Sequence, residues 1–143
     1  MLQPTKSIGA NGIAFDDAQG DLWIAVSDTG SILRVPVSSK GTAGVPAVVV
    51  QSAKLKTADG IAFDTKGGLY IAVNRTDELY VLTSAGALLR VANRSDGLSY
   101  PTQPAFGPTS ETQRSSLFLT NGALYNGVAN LIKFDVGVGG LLP

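Results

Sequence analysis

The sequence contains neither cysteine nor histidine in its 143 residues. Without cysteine, the chain can form no disulfide, no thiolate nucleophile and no soft-metal site. Without histidine, it cannot assemble a Ser–His or Cys–His catalytic pair of its own, and zinc sites of the usual Cys/His kind are excluded as well. Any metal site built from these residues must therefore bind a hard cation through oxygen atoms.

Charge is scarce and balanced, with 11 basic and 11 acidic residues and a formal net charge of zero. No basic patch stands out, so a nucleic-acid partner is not expected. No apolar run is long enough to span a membrane, and the opening MLQPTKSIGA lacks the apolar core of a signal peptide. The composition predicts one soluble globular domain over residues 1–143 with no membrane partner, and it leaves the compartment open.

One phrase occurs twice in the chain. Residues 10–26 read ANGIAFDDAQGDLWIAV, and residues 58–73 read ADGIAFDTKGGLYIAV, so that Asp59 follows Asn11 by 48 positions. A weaker third copy combines PAFG at 104–107 with LFLTN at 117–121. Third strand-like runs follow as SILRVPV, ELYVL and NLIKFDV, and fourth runs as PAVVV and ALLRVA. Four short strands per unit of this length are typical of β-propeller blades.

The repeat predicts an all-β fold of three four-stranded blades, which is half of a six-bladed propeller. The blades are expected at about residues 11–50, 59–93 and 102–136, and residues 1–10 align with the tail of a fourth strand. The third blade has no clear fourth strand after Val136, so this strand is missing or supplied by another chain. Trp23, Tyr70 and Phe118 are expected in the layers between blades. Three blades cannot close a ring, so either a second copy completes it as a homodimer, which closed two-fold symmetry favours, or the chain is a piece of a longer protein.

Candidate ligand-binding residues collect on one face of this half ring, because strand directions alternate within a blade. The ordinary interpretation of Asn11-Gly12 and Asp59-Gly60 is a tight turn that uses positive φ. The functional interpretation is that Asn11 and Asp59 give oxygen ligands to Ca²⁺ or a similar divalent cation. Such an ion needs roughly six to eight oxygens, so two side chains cannot suffice. The candidate contacts to a small-molecule ligand are Asp28, Asn74, Arg75, Gln103, Asn121 and Tyr125.

Three motifs in order resemble the C-terminal half of the SMP-30/gluconolactonase/LRE-like propellers. ANGIAF is similar to the family's Asn-Gly motif, ADGIAFDTKGGLYIAV to its Asp-Gly motif, and YPTQPAFGPTSETQRSSLFLTN to its later AFG stretch. The resemblance implies that Asn11 is a metal ligand, and that Asp59 is both a ligand and the general base for lactone opening. It also implies a missing ligand, because the family's Glu lies in a first blade that this chain lacks. Ala58 replaces a proline that is usual in the family.

Two interpretations of function therefore stay open, and a third is weaker. The first is a metal-dependent lactone or ester hydrolase whose site is completed by oligomerisation. The second is a non-catalytic half-propeller that serves as a binding or assembly module and lacks the Glu ligand. The third is a strictosidine-synthase-like or NHL-type propeller that acts as a scaffold. Retention of both Asn11 and Asp59 favours the first, and the absence of the Glu favours the second.

Overall fold

In a computed structural model, each copy of the repeated phrase forms the two innermost strands of one antiparallel sheet. The structure describes residues 9–16, 19–107, 111–125 and 127–141. The first sheet contains β1 (Ala10–Asp16), β2 (Asp21–Val26), β3 (Ser31–Val35) and β4 (Ala47–Gln51). The second contains β5 (Ala58–Phe63), β6 (Leu69–Val73), β7 (Glu78–Leu82) and β8 (Leu88–Ala92). The third contains β9 (Pro101–Phe106), β10 (Ser116–Asn121) and β11 (Asn130–Asp135).

Each sheet is a meander in which consecutive strands pair in order, and this is the topology of a propeller blade. The innermost strands β1, β5 and β9 lie side by side, so the three blades are arranged around a common channel. Short 3₁₀ turns at Ala53–Leu55 and Arg94–Asp96 join the blades, and a single α-helical turn, α1 (Glu111–Arg114), lies between β9 and β10. The prediction of an all-β half-propeller is confirmed.

The third blade contains three strands within the described part of the chain. After β11 the chain turns back beneath the half ring instead of adding a fourth strand. Gly140 forms an isolated bridge with Asp64, and the Leu141 amide donates to the Phe63 carbonyl at 3.1 Å. The proposed fourth-strand tail at residues 1–10 lies outside the described residues, apart from positions 9 and 10.

Apolar layers between neighbouring blades form the core. Trp23 of the first blade packs edge-to-face on Phe63 of the second, with ring centroids 5.3 Å apart. Tyr70 of the second blade packs in the same way on Phe106 of the third, at 5.4 Å. The expected inter-blade position is therefore confirmed for Trp23 and Tyr70. The third member, Phe118, has no aromatic partner among the described residues.

The structure overturns the turn interpretation of the two glycine pairs. Gly12 and Gly60 lie inside β1 and β5, and neither has a positive φ. A side chain at Gly12 would collide with the Asp59 carbonyl, and one at Gly60 would lie 2.6 Å from the Thr102 carbonyl oxygen. Glycine is needed here because adjacent innermost strands approach too closely for a Cβ atom.

Candidate metal site at the channel mouth

The chain enters the second and third blades through a residue with left-handed backbone. Thr57 precedes β5 with φ 67°, and Tyr100 precedes β9 with φ 53°. This region costs a non-glycine residue about 1–3 kcal/mol, so other contacts must hold it. The Thr57 amide donates to the Ser27 carbonyl at 2.8 Å, and the Tyr100 amide donates to the Asp77 carboxylate at 2.6 Å. Both entrances are therefore fixed by hydrogen bonds to a preceding turn.

Asn11 and Asp59 meet where the first two innermost strands begin. The close approach of Gly12 to the Asp59 backbone brings the two strands together, and the Asn11 side chain hydrogen-bonds the Asp59 carboxylate. Asn11 also donates through Nδ2 to Ser27 Oγ at 3.2 Å, and that hydroxyl donates to the Ala58 carbonyl at 2.5 Å. Ser27 therefore links the start of β1 to the start of β5.

Asp59 lies in a partly buried position between two side-chain amides. Burial raises the pKa of its carboxyl above the ordinary value, while hydrogen bonds from Asn74 and Asn11 act in the opposite direction. The bond from Asn74 Nδ2 to Asp59 Oδ2 is long, at 3.4 Å. A carboxylate that is poorly solvated and weakly hydrogen-bonded is suited to accept a proton or to bind a cation.

Asn74 supplies an unsatisfied oxygen beside this carboxylate. The residue is buried, and its Oδ1 atom has no hydrogen-bond partner. A buried carbonyl oxygen without a partner is costly, so a cation at this point would relieve the cost. Asn74 Oδ1, the Asn11 amide oxygen and the Asp59 carboxylate are the oxygen donors that a hard cation prefers. The donor chemistry therefore fits the implied metal.

These three side chains nevertheless offer too few oxygen ligands for a complete calcium site. Within the described part of the chain, no group of three or more acidic residues is placed to hold an ion. Asp59 is the single carboxylate among Asn11, Asp59 and Asn74, whereas a calcium ion takes roughly six to eight oxygens. A working site therefore needs further ligands from water, from a bound substrate or from the other half of the ring.

A wall of two tyrosines and one arginine stands next to Asp59. Tyr100 and Tyr125 pack edge-to-face with ring centroids 5.4 Å apart, and together with Arg75 they line a cavity of about 30 Å³. Burial raises the pKa of Tyr100; Tyr125 and Asp59 add to that rise, and Arg75 opposes it. The arrangement places an exposed cation and an aromatic face near a carboxylate, and the cavity itself has room for about one water molecule.

The other predicted contact residues differ in their surroundings. Gln103 is exposed, and its side-chain oxygen lies over Gly60, the residue that follows Asp59 in the chain. Asp28 is exposed and accepts from the Thr29 amide at 2.9 Å. Asn121 is buried; its oxygen accepts from the Ser99 amide, and its nitrogen donates to the Gly97 carbonyl and to the Asn130 side chain. The structure thus places Gln103 over Gly60 at the start of β5, while Asn121 holds the loop that precedes β9.

Sequence reasoning missed the contribution of Tyr100 to this site. The available signal was the Tyr-Pro step at the start of the third copy of the phrase, because the residue before proline is disfavoured in helical conformations. The positive φ that turns Tyr100 towards Asp59 depends on a hydrogen bond to Asp77, 23 residues earlier in the chain. A local pattern could not have revealed that contact.

Below the mouth, the half channel is apolar. Three copies of one triplet, Ile13-Ala14-Phe15, Ile61-Ala62-Phe63 and Pro104-Ala105-Phe106, line a cavity of about 460 Å³ together with Gln103 and Leu141. Gln103 is polar, whereas the other residues that line this cavity are apolar. No helix in the described part of the chain is long and apolar enough to cross a membrane.

A family model described as the SMP-30/Gluconolactonase/LRE-like region matches residues 2–122. The chain belongs to this family. The match includes Asn11 and Asp59, the channel triplets and the entrance of the third blade. No curated protein matches the chain.

Solved structures support the fold. A luciferin-regenerating enzyme matches with a TM-score of 0.73 at 14% identity, over 99% of this chain and 50% of its own. A calcium-binding protein, regucalcin from Agrobacterium tumefaciens, matches with a TM-score of 0.66 at 19% identity, over 92% of this chain and 46% of its own. The chain therefore spans about half the length of these structures, as a half-propeller should.

Proposed function

We propose that this chain carries the metal-binding half of a propeller that hydrolyses lactones or related esters. Asn11 and Asp59 hold Ca²⁺ or a similar divalent cation, and Asp59 is the general base. The observation that carries the proposal is the partly buried Asp59 carboxylate beside the unpaired oxygen of Asn74. Family membership supports it, as does the description of one structural neighbour, regucalcin, as a calcium-binding protein.

A divalent cation at this site would act as a Lewis acid towards the carbonyl of a bound lactone. Asp59 accepts a proton from water, and the water oxygen bonds to the carbonyl carbon. The ring C–O bond then breaks, and the proton goes to the released hydroxyl group. Burial raises the pKa of the Asp59 carboxyl when no cation is bound, which favours proton acceptance, whereas a bound cation would oppose that rise.

The remaining predicted residues are assigned supporting roles in the same proposal. Arg75 and Tyr125 would bind polar substituents of the substrate at the rim, and Gln103 would contact its ring. Asn74 positions the Asp59 carboxylate, and Asp28 is an outer contact on the same face. Asn121 would act through the loop that presents Tyr100. A second copy of this chain would complete the ring and bring a second Asn11 and Asp59 to the channel.

The alternative is a non-catalytic half-propeller that binds a ligand or assembles with a partner. The observation in its favour is the single carboxylate among the three oxygen donors, since one acidic group holds a divalent cation weakly. In this alternative, the polar rim binds a small molecule without hydrolysing it.

Calorimetric titration with Ca²⁺ tests the metal site directly. Wild type should bind with measurable heat, and Asp59→Asn should lose at least tenfold in affinity. The matched control is Asp135→Asn, which removes the same charge from exposed β11 and should bind like wild type. Binding that is absent, or unaffected by Asp59→Asn, would contradict the metal proposal.

Hydrolysis separates the two candidate functions. An aldonolactone assayed with a pH indicator should release acid in the presence of Ca²⁺, and Asp59→Asn should abolish at least 99% of that rate because the base is gone. Calcium binding without hydrolysis of any of several ring sizes would support the binding module instead.

A further inference from the structure

The half ring has two end faces, and each end face carries one half of the aromatic contact that joins neighbouring blades inside the chain. Within the chain, an aromatic residue on the second strand of one blade packs on a phenylalanine of the innermost strand of the next. Trp23 meets Phe63, and Tyr70 meets Phe106. The next aromatic in this series is Phe118 on β10, and the phenylalanine that begins the series is Phe15 on β1. Neither has a ring partner in the described part of the chain.

Strand register shows that these residues occupy equivalent positions. Trp23 pairs with Ala14, Tyr70 with Ala62, and Phe118 with Ala105, so all three aromatics point from one blade towards the next. Phe15 pairs with Leu22 as Phe63 pairs with Leu69. The ends of the half ring therefore present the two complementary halves of one repeated contact.

Exposure shows that both faces lack a cover from the described part of the chain. Phe15 is 55% exposed, whereas the equivalent Phe63 is 5% exposed. At the other end, Leu131 is 62% exposed, whereas the equivalent Leu79 is fully buried. Phe15 and Leu131 thus stay apolar at positions that are buried inside the chain, whereas Lys133 stands where the second blade has Val81. Such a surface is typical of an interface.

We propose that a second copy of this chain covers both faces, with Phe118 of each copy packed on the partner subunit's Phe15. The contact continues the two blade interfaces that the chain already contains. Three blades and three blades make a ring of six, and a two-fold axis closes it with no face left over. One pair of copies therefore satisfies both ends through two identical contacts.

One residue makes the new interface different from the internal ones. Gly12 and Gly60 allow neighbouring innermost strands to approach closely, but the equivalent position in β9 is Gln103. Gln103 has a Cβ atom where the other innermost strands have none, so β9 and the partner subunit's β1 must stand further apart, while the Gln103 side-chain oxygen lies over Gly60 within the chain. The partner subunit's Asn11 would then lie beside Gln103, which adds an oxygen donor to the rim of the proposed site.

The test is a charge swap read by light scattering after size exclusion. The wild-type chain should elute at twice its 14.7 kDa mass. Phe15→Glu and Phe118→Lys, each alone, should weaken the dimer at least tenfold because each buries an unpaired charge. The double variant, Phe15→Glu with Phe118→Lys, should recover the dimer in part, since each Lys would then face a Glu of the other copy.

The matched control is Leu89→Glu, which changes an exposed leucine on β8 of the middle blade and should stay dimeric. Circular dichroism verifies that every variant keeps its strands. A monomeric wild type, an open-ended polymer, or a double variant no better than the singles would overturn the proposal. The readout is mass rather than metal or hydrolysis, so this inference and the proposed function can fail separately.

Discussion

The first and second blades share a phrase in sequence and differ in what covers it. Ile13 and Ile61 occupy equivalent strand positions opposite Ile24 and Ile71, yet Ile13 is 61% exposed and Ile61 is 2% exposed. The second blade has a neighbour on each side, and the first has a neighbour on one side only. The repeated residues specify the strand and its register, whereas the free energy gained by burying each side chain depends on whether a neighbouring blade covers it.

The largest expected effect is therefore a difference in the free energy of unfolding when the same isoleucine-to-alanine substitution is made in the two blades. Ile61→Ala should lower the free energy of unfolding by about 2–5 kcal/mol because it opens a cavity in a packed layer. Ile13→Ala should cost less than about 1 kcal/mol when measured in the Phe15→Glu background, which removes association. Chemical denaturation followed by the fluorescence of Trp23 measures both values. Equal losses would show that the first blade is covered in the monomer.

Gly12 and Gly60 provide a second comparison, because the short distance between neighbouring innermost strands is what requires glycine at these positions. Gly12→Ala should destabilise the fold by about 1–3 kcal/mol, since the new methyl group would collide with the Asp59 backbone. It should also weaken Ca²⁺ binding by separating Asn11 from Asp59. Gly9→Ala is the matched control, because a Cβ atom at Gly9 meets nothing within 4 Å and needs no left-handed backbone. A tolerated Gly12→Ala would mean that the innermost strands can separate freely.

These glycines also show what a sequence can and cannot reveal. The repeat was sufficient to predict the blades, the inter-blade positions of Trp23 and Tyr70 and the common face of Asn11 and Asp59, because these follow from strand period and blade order. The reason for Gly12 was predicted wrongly as a turn, because the collision that requires it involves the next blade. The unpaired Asn74 oxygen was also beyond prediction, since it depends on burial that only the assembled blades produce.

The outer strands differ as well, and here the expected effect is smallest. In the second blade, Glu78 accepts from Arg90 at 2.9 Å and from the Tyr80 hydroxyl at 3.1 Å. The first blade has Ser31 at the position of Glu78 and Leu33 at the position of Tyr80, so it lacks this trio. Burial alone would raise the pKa of Glu78, but the hydrogen bonds from Arg90, Thr76 and Tyr80 and the charge of Arg90 outweigh it and lower the pKa.

A lowered pKa in the folded state fixes the sign of the pH dependence. Glu78 contributes stability above its unfolded pKa, and that contribution is lost as pH falls through its folded pKa. Glu78→Gln should therefore be less stable than wild type at neutral pH, and the two proteins should converge in acid. Because Arg90 is well exposed, the difference is expected to be small and to shrink further in high salt. Arg90→Gln should remove the same pH dependence, whereas parallel curves for wild type and Glu78→Gln would show that the trio contributes nothing to the second blade.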